Sequence, residues 1–268
     1  DAAHNVVTSA PVGALIHGWA SVTGSGPTPT GTVTLGLYDN AACSGAPLAT
    51  DARTLLPDGT AESAALTLAD PGFYYRVTYG GDAAYTSVSG ACTLFLATQP
   101  GPLFLVNTLL DDAGDGLCTS SHCTLREAVA AANADPAANT VSFAVSGTIL
   151  LGSTLPALQP TGAVAIDGAN QSVVVSGGSA HRVFTVAAGT TASLRALSIV
   201  DGAVPSGSGA GVHSSGTLTL AAATLSGHVA RYGAALHVAG GSATLVNVTL
   251  AGSSATDPSG PGGGGAAF

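Results

Sequence analysis

The stretch Cys118-Thr-Ser-Ser-His-Cys-Thr-Leu-Arg-Glu-Ala-Val-Ala-Ala-Ala-Asn133 decides the fold, because it predicts one short helix in a chain that otherwise favours β-structure. Thr124 and Glu127 have the spacing of a capping box, in which each side chain satisfies a backbone N–H at the start of a helix. An apolar face at helical spacing follows: Leu125, Ala128, Val129 and Ala132. A lone helix ahead of a β array predicts a plug over the end of a stacked sheet, whose unpaired edge must be covered.

The C-terminal block, residues 103–268, predicts a right-handed parallel β-helix. Six short runs split by Gly, Asn and Asp are predicted strands: 140–143, 148–151, 163–166, 173–175, 183–186 and 192–199. Gly209-Ala-Gly-Val-His213 recurs 24 residues later as Gly233-Ala-Ala-Leu-His237, and Gly216-Thr-Leu-Thr-Leu220 recurs 25 residues later as Gly241-Ser-Ala-Thr-Leu245. This period is about one turn of a β-solenoid.

The end of the chain begins like a third copy of this repeat. Gly265-Ala-Ala-Phe268 follows a Pro/Gly-rich insertion that starts at Asp257. Because an open strand edge invites aggregation, we expect the chain to continue past Phe268 or another subunit to cover this end.

The N-terminal block, residues 1–98, predicts a β-sandwich. Alternating apolar and polar residues are separated by Gly/Pro/Asp turns, and the predicted strands are 14–22, 31–38, 61–68, 72–79 and 92–97. Several short strands at this spacing are typical of a sandwich.

Several segments resemble three known families. Cys123-Thr-Leu-Arg-Glu-Ala128, with the preceding Val106–Cys118, resembles the CSLREA-type segment of bacterial surface proteins, which opens a right-handed parallel β-helix; Thr124 replaces the usual Ser. Pro29-Thr-Gly-Thr-Val-Thr-Leu35 and Tyr79-Gly-Gly-Asp-Ala-Ala-Tyr85 resemble a bacterial Ig-like repeat module. The Gly-Gly-Ala openings are similar to polymorphic outer-membrane-type repeats. The resemblance implies a bacterial, secreted or cell-surface protein, most of whose relatives have no assigned catalytic activity.

Composition points outside the cell. The chain has six Arg, no Lys or Met, 8% charged residues and a net charge of -9. This charge argues against nucleic acid and anionic membranes as partners, which require clustered basic groups. No apolar run approaches the about 20 residues of a membrane span. No signal peptide is visible, so we expect Asp1 to be a processed N-terminus.

The four cysteines predict two disulfides, Cys43 with Cys92 and Cys118 with Cys123. Each pair falls within one block, and disulfides persist in oxidising, extracellular compartments. A zinc site is the alternative, but the chain lacks a second close Cys pair.

Two segments are candidates for binding. Asp111, Asp112 and Asp115 stand among glycines, which predicts either a structural calcium ion or a solvated acidic turn. No other cofactor is expected. The apolar N-terminal arm is predicted to add a strand to a neighbouring subunit: Val6, Val7, Val12, Leu15 and Ile16. Trp19, Tyr74 and Tyr85 either bind a glycan or serve as core and corner residues.

The β-helix block has few residues for chemistry. Its carboxylates after residue 139 are Asp167, Asp201 and Asp257, whereas polysaccharide cleavage needs two or more converging on one face. His213 and His237 occupy matching outward positions, where they predict a surface ladder or, with His228, a metal site.

The sequence therefore predicts an all-β protein: an Ig-like β-sandwich, then a right-handed parallel β-helix with a short N-terminal capping α-helix. The predicted function is non-catalytic, an extracellular structural or adhesive protein that serves as a cell-surface stalk or self-assembling fibre subunit. Its predicted partners are copies of itself or a cell-surface glycan. The alternative is a carbohydrate-active β-helix enzyme, a polysaccharide lyase or hydrolase, with an accessory Ig module.

Overall fold

A computed structural model describes residues 7–69, 72–98, 102–112 and 114–257. The predictions for Val6 and for the third repeat copy at 265–268 lie outside these residues. The chain divides into two compact units, residues 1–98 and 99–268. Among the described residues, no helix is long and apolar enough to cross a membrane.

The N-terminal unit is built on a six-stranded mixed sheet. Its strands are β1 Ser9–Pro11, β4 Thr32–Tyr38, β5 Ala49–Thr54, β8 Gly72–Tyr79, β9 Val88–Ser89 and β10 Thr93–Thr98. Their order in the sheet is β1-β10-β8-β4-β5, with β9 also pairing β8. The pair β1–β10 is parallel and the others are antiparallel.

Four shorter strands form two antiparallel pairs in the same unit, and we call them the ribbon. Their bounds are β2 Leu15–Ile16, β3 Trp19–Ser21, β6 Thr60–Glu62 and β7 Leu66–Thr67. β2 pairs β7, and β3 pairs β6. The predicted strands 14–22 and 61–68 are therefore each divided into two short strands. At the interruption, the Gly18 N–H donates a hydrogen bond to the Ser63 hydroxyl at 2.8 Å.

The C-terminal unit is a right-handed parallel β-solenoid of about four turns. Its widest sheet, which we call the long sheet, contains β11 Leu103–Val106, β12 Asn139–Phe143, β14 Ala163–Asp167, β17 Thr191–Arg195, β21 Thr217–Ala221 and β25 Ser242–Val246. The second sheet contains β13 Gly147–Leu150, β15 Val173–Ser176, β18 Leu197–Val200, β22 Thr224–Ser226 and β26 Thr249–Ala251.

Two three-stranded parallel sheets complete the later turns. One contains β16 Phe184–Val186, β20 Val212–Ser214 and β24 Leu236–Val238, and the other contains β19 Ala203–Ser208, β23 Val229–Tyr232 and β27 Ser254–Ala255. The structure pairs Val212 with Leu236 and Thr217 with Ser242, which is the register that the sequence repeat predicts.

Inward side chains of successive rungs stack into one continuous apolar core. Ile166, Leu194 and Leu220 are paired neighbours in the long sheet and none is exposed. Val175, Ile199 and Leu225 do the same in the second sheet. Burial of such ladders favours the fold by about 25 cal/mol for each Å² of apolar surface removed from water.

The corner between these two sheets repeats a left-handed backbone residue. Ala196, Ala222 and Asn247 have φ of 52°, 49° and 52°, a region that favours Gly or Asn. The predicted strand 192–199 is therefore two strands, because the chain turns at Ala196. Each later rung turns at the matching place.

Helix α1, Leu125–Ala134, is the one helix among the described residues. It packs against β11 and β12. The four predicted apolar positions of its face are fully buried in the solenoid core. The structure is thus all-β with almost no helix, and the helix lies at the first strands of the solenoid.

Candidate functional site

The loop before helix α1 is held by a disulfide and by one asparagine. Cys118 and Cys123 are bonded and buried. Asn107 accepts the Cys123 N–H at 2.7 Å and donates to the Thr119 and Ser120 carbonyls. Both disulfides predicted from the sequence are present, the other joining Cys43 to Cys92.

The predicted capping box is formed, and it contains a buried carboxylate. Glu127 is 1% exposed; its Oε2 accepts the Thr124 N–H at 2.9 Å and lies 3.3 Å from Nδ1 of His122. Its Oε1 has no hydrogen-bond partner, and a side chain on Gly114 would lie 2.5 Å from it. Any residue larger than glycine at position 114 would therefore collide with this carboxylate.

The three aspartates of the predicted calcium loop have separate contacts. Asp111 receives a bidentate bond from Arg126 at 3.0 and 2.7 Å, and it also accepts the Gly152 N–H. Asp112 lies 3.5 Å from Nε2 of His122, while Asp115 accepts the Leu117 N–H. Within the described ranges, no three His, Cys, Asp or Glu side chains could hold a metal. Calcium binding stays a prediction.

Two asparagines fasten the helix in ways that the sequence analysis missed. Buried Asn139 donates to the carbonyls of Ala132, Asp135 and Ala137 and so closes the end of the helix. Asn133 donates to the Ala157 carbonyl and accepts the Gln159 N–H. Asn133 lies in the last turn of the helix and Asn139 is the first residue of β12, and asparagines at such element ends are the sequence signal for these contacts.

Of the three solenoid carboxylates considered for catalysis, two face an arginine of a neighbouring rung. Asp167 lies 3.8 Å from Nε of Arg195, and Asp257 accepts from Arg231 at 3.0 Å. Asp201, at a different corner from Asp167, packs against Gly227. These contacts tie rung to rung.

His213 and His237 form the predicted ladder. They pair in register, and their rings stack with centroids 5.1 Å apart and an 11° angle between planes. Burial, with the nearby charge of Arg182 second, lowers the pKa of both imidazoles. Arg182 itself donates to the carbonyls of Gly209 and Ser208 at 3.0 Å.

His228 is not part of that ladder, so its prediction as a third metal ligand is wrong. It is fully buried; Nδ1 accepts the Gly202 N–H at 2.9 Å, and Nε2 lies 3.1 Å from the Ile199 carbonyl oxygen. Side chains at Gly202 or Gly211 would collide with the ring. The sequence signal for this buried ring is a histidine that follows two glycines of the preceding rung, Gly202 and Gly211. Burial lowers the pKa of His228 to about 4.

The N-terminal unit contains a ligand-sized cleft of about 820 Å³ between its main sheet and the ribbon. The floor is apolar and is formed by Val33, Leu35, Leu37, Phe73, Tyr75, Val77 and Phe95. The ribbon contributes smaller residues: Ile16, Gly18, Ala20 and Ala61. Binding sites for small molecules are typically apolar clefts of this size with a few polar groups.

Two polar pairs lie at this cleft. Nε of Arg53 lies 2.9 Å from Asp51, which also accepts the Ala64 N–H at 2.6 Å; that N–H, then Arg53, lowers the pKa of Asp51. His17 lies 3.3 Å from Glu62. Trp19, 44% exposed, adds an aromatic surface beside them.

The predicted assembly arm is divided by the fold. Leu15 is 74% exposed, whereas Val12 and Ile16 pack against the buried cluster around Phe95. Val7 lines the cleft and is exposed. Leu15 and Ile16 line this cleft as well, and strand addition to a neighbouring subunit stays a prediction.

Two of the aromatic residues considered for glycan binding or for core and corner roles have defined positions in the N-terminal unit. The Tyr85 hydroxyl accepts the Gly26 N–H and donates to the Pro27 carbonyl, which makes Tyr85 a corner residue. Tyr74 lies in β8 opposite Leu94. Asp82 accepts the N–H groups of Thr30, Ala84 and Tyr85, and the first of these most strongly lowers its pKa.

Comparison of the chain with protein-family models, with curated proteins and with solved structures finds no match.

Proposed function

We propose that this chain is a non-catalytic extracellular structural or adhesive protein, serving as a cell-surface stalk or a self-assembling fibre subunit. The observation that carries the proposal is the use of charge in the solenoid. Asp167 and Asp257 each face an arginine one rung away, so these charges lie between neighbouring rungs and not at a shared site. A solenoid whose repeats contact only their neighbours is extended, which suits a stalk or a fibre subunit.

The finer assignment rests on the sequence motifs. We infer that residues 1–98 are a bacterial Ig-like sandwich, and that residues 103–268 are a CSLREA-type cap with polymorphic outer-membrane-type repeats. Two disulfides support a secreted or cell-surface location, since such bonds persist in oxidising compartments.

The adhesive role is assigned to the cleft of the N-terminal unit. Its apolar floor, Trp19 and the pairs Asp51–Arg53 and His17–Glu62 combine stacking and hydrogen-bonding groups. This combination supports a glycan as the ligand.

A carbohydrate-active enzyme is the second candidate, and the arrangement of carboxylates disfavours it. Hydrolysis of a glycosidic bond requires two carboxyl groups on either side of that bond. Asp167 and Asp201 lie at different corners, and Asp167 faces Arg195. Incubation with a panel of polysaccharides, followed by a reducing-end assay, should detect no cleavage.

Negative-stain electron microscopy and sedimentation velocity at several protein concentrations test the proposal. Regular fibres would identify an assembling subunit; dispersed rods that bind a glycan array would identify an adhesive stalk. Deletion of residues 1–7 should abolish fibres while leaving β1, which begins at Ser9. Compact monomers that bind no glycan would contradict the proposal, and so would cleavage of a polysaccharide.

A further inference from the structure

Three histidines are concentrated in two consecutive rungs of the solenoid. His213 lies in β20, His237 lies in β24 one rung later, and His228 lies between them in the chain, at the corner before β23. The rungs from 139 to 176 contain no histidine. Among the rungs, histidine is therefore confined to the later ones, whereas His122 belongs to the loop before helix α1.

We propose that these rungs are an acid-sensitive device: protonation of His228, with His213 and His237, opens the solenoid locally at residues 197–255 while the cap and the first rungs stay closed. This goes beyond the proposed function, because it holds for a stalk and for a fibre subunit alike. Opening would expose strand edges that are paired at neutral pH.

His228 can be accommodated only as a neutral ring. The Gly202 N–H can only donate, so Nδ1 must accept and the proton must reside on Nε2, which donates to the Ile199 carbonyl. Protonation of Nδ1 would break the bond to Gly202 and place a charge in a fully buried position. Burial favours this neutral state. The Ile199 carbonyl and Asp201 partly favour the charged ring, but burial outweighs both.

The stacked pair adds to the same response. Protonation of His213 and His237 would place two charges at a centroid separation of 5.1 Å, beside the guanidinium of Arg182. Like charges at this distance repel, and the positive charge of Arg182 already lowers the pKa of both rings, after burial. The Ser208 carbonyl partly favours the charged form of His213.

The direction and window follow from linkage. In an opened rung His228 has its ordinary pKa of 6.5, whereas in the closed rung the pKa is about 4. The opened state therefore binds more protons, so closure is fully favoured above pH 6.5 and weakens as the pH falls towards 4. One such group shifts the closed-to-open ratio by up to about 300-fold over this window.

Hydrogen–deuterium exchange measured by mass spectrometry tests the proposal on the full chain. After correction for the intrinsic pH dependence, peptides within 197–255 should lose protection at least tenfold between pH 7.5 and 4.5. Peptides within 125–176 should not. Uniform loss of protection across the solenoid, or no loss in either region, would overturn the proposal.

Histidine variants and a direct titration show which histidines produce the acid response. His228→Gln, whose amide can accept from Gly202 and donate to Ile199, should reduce the acid response, as should the double variant His213→Gln/His237→Gln to a smaller extent. His181→Gln is the matched control and should leave it unchanged. If His228→Gln does not fold, an imidazole ¹⁵N titration of the natural chain decides the matter. Titration of His228 near 6.5 with the rungs still closed would overturn the proposal.

Discussion

The interiors of the two units differ in how completely they are filled. Among the described residues of the solenoid, inward side chains form one large cluster that runs from Phe104 to Leu236, beside a small one of Ala210, Ala230 and Ala234. The described part of the N-terminal unit has two small clusters, with four and three buried members, and the cleft lies between the main sheet and the ribbon. The same strand periodicity thus yields a closed core where similar rungs stack, and an incomplete one where short strands face a longer sheet.

This difference indicates two sources of stability. The solenoid depends on apolar ladders, each rung burying the next. The N-terminal unit depends more on covalent and polar links, namely the Cys43–Cys92 disulfide and the contacts of Asp82 and Tyr85. Perturbations of each kind should therefore affect one unit more than the other.

The largest effect is expected from the disulfide of the N-terminal unit. Cys43→Ala with Cys92→Ala removes a crosslink between residues 49 positions apart and should lower the stability of that unit by about 4 kcal/mol. The control is Cys118→Ala with Cys123→Ala, five positions apart, with an expected loss of about 2 kcal/mol from the solenoid. Calorimetry that resolves the two transitions measures both. Equal losses of stability in the two units would contradict the idea that the N-terminal unit depends more on its disulfide.

A matched pair of leucines compares the interiors directly. Leu220→Ala, in the filled solenoid, should cost about 3 kcal/mol, because the surrounding ladders cannot close the cavity. Leu35→Ala, on the wall of the open cleft, should cost about 1 kcal/mol. Urea unfolding of each variant supplies the two values. A larger loss for Leu35→Ala would mean that the cleft is filled in solution.

Acid should weaken the two units in different windows. The hydrogen bonds that lower the pKa of Asp82 below its ordinary 3.8 stabilise the N-terminal unit above that value, and this contribution is lost as the pH falls below it. The solenoid, through His228, weakens already below pH 6.5. Melting temperatures of both transitions from pH 8 to 3 should separate accordingly, and Asp82→Asn should flatten the low-pH slope of the first unit alone.

The smallest effect is expected at the repeated corner. Ala222→Gly relieves a left-handed conformation at φ 49° and should stabilise the solenoid by about 0.5 kcal/mol. Ala223→Gly, at the neighbouring buried position where φ is not positive, should instead destabilise it by about 1 kcal/mol. Thermal unfolding of the two variants in parallel checks the sign. If both variants are destabilised, the backbone at this corner is not strained.

The solenoid was the more predictable region. Repeats at offsets of 24 and 25 residues indicated which rungs pair, and the capping box indicated where the helix begins, because both depend on contacts that are local or periodic in the sequence. His213 and His237 stack as the repeat predicts.

Features that depend on a change of direction or on distant strands were missed. His228 follows the left-handed Gly227, which resets the alternation of inward and outward residues, so simple parity did not indicate its burial. The strand β5 was not predicted, because its residues are mostly exposed and lack an apolar alternation. The cleft depends on small residues of the ribbon opposite large residues of β4 and β8, which no single window of sequence reveals.

The repeated left-handed corner at Ala196, Ala222 and Asn247 also bears on how such a chain can change in length. These three rungs turn at matching positions and pair in register, so the surfaces that they present to their neighbours are similar. An in-frame duplication of one period would therefore meet matching surfaces above and below it. Growth or shortening of the solenoid by whole turns thus requires no compensating mutation elsewhere. Length is therefore the property of this architecture that can change most easily between related chains.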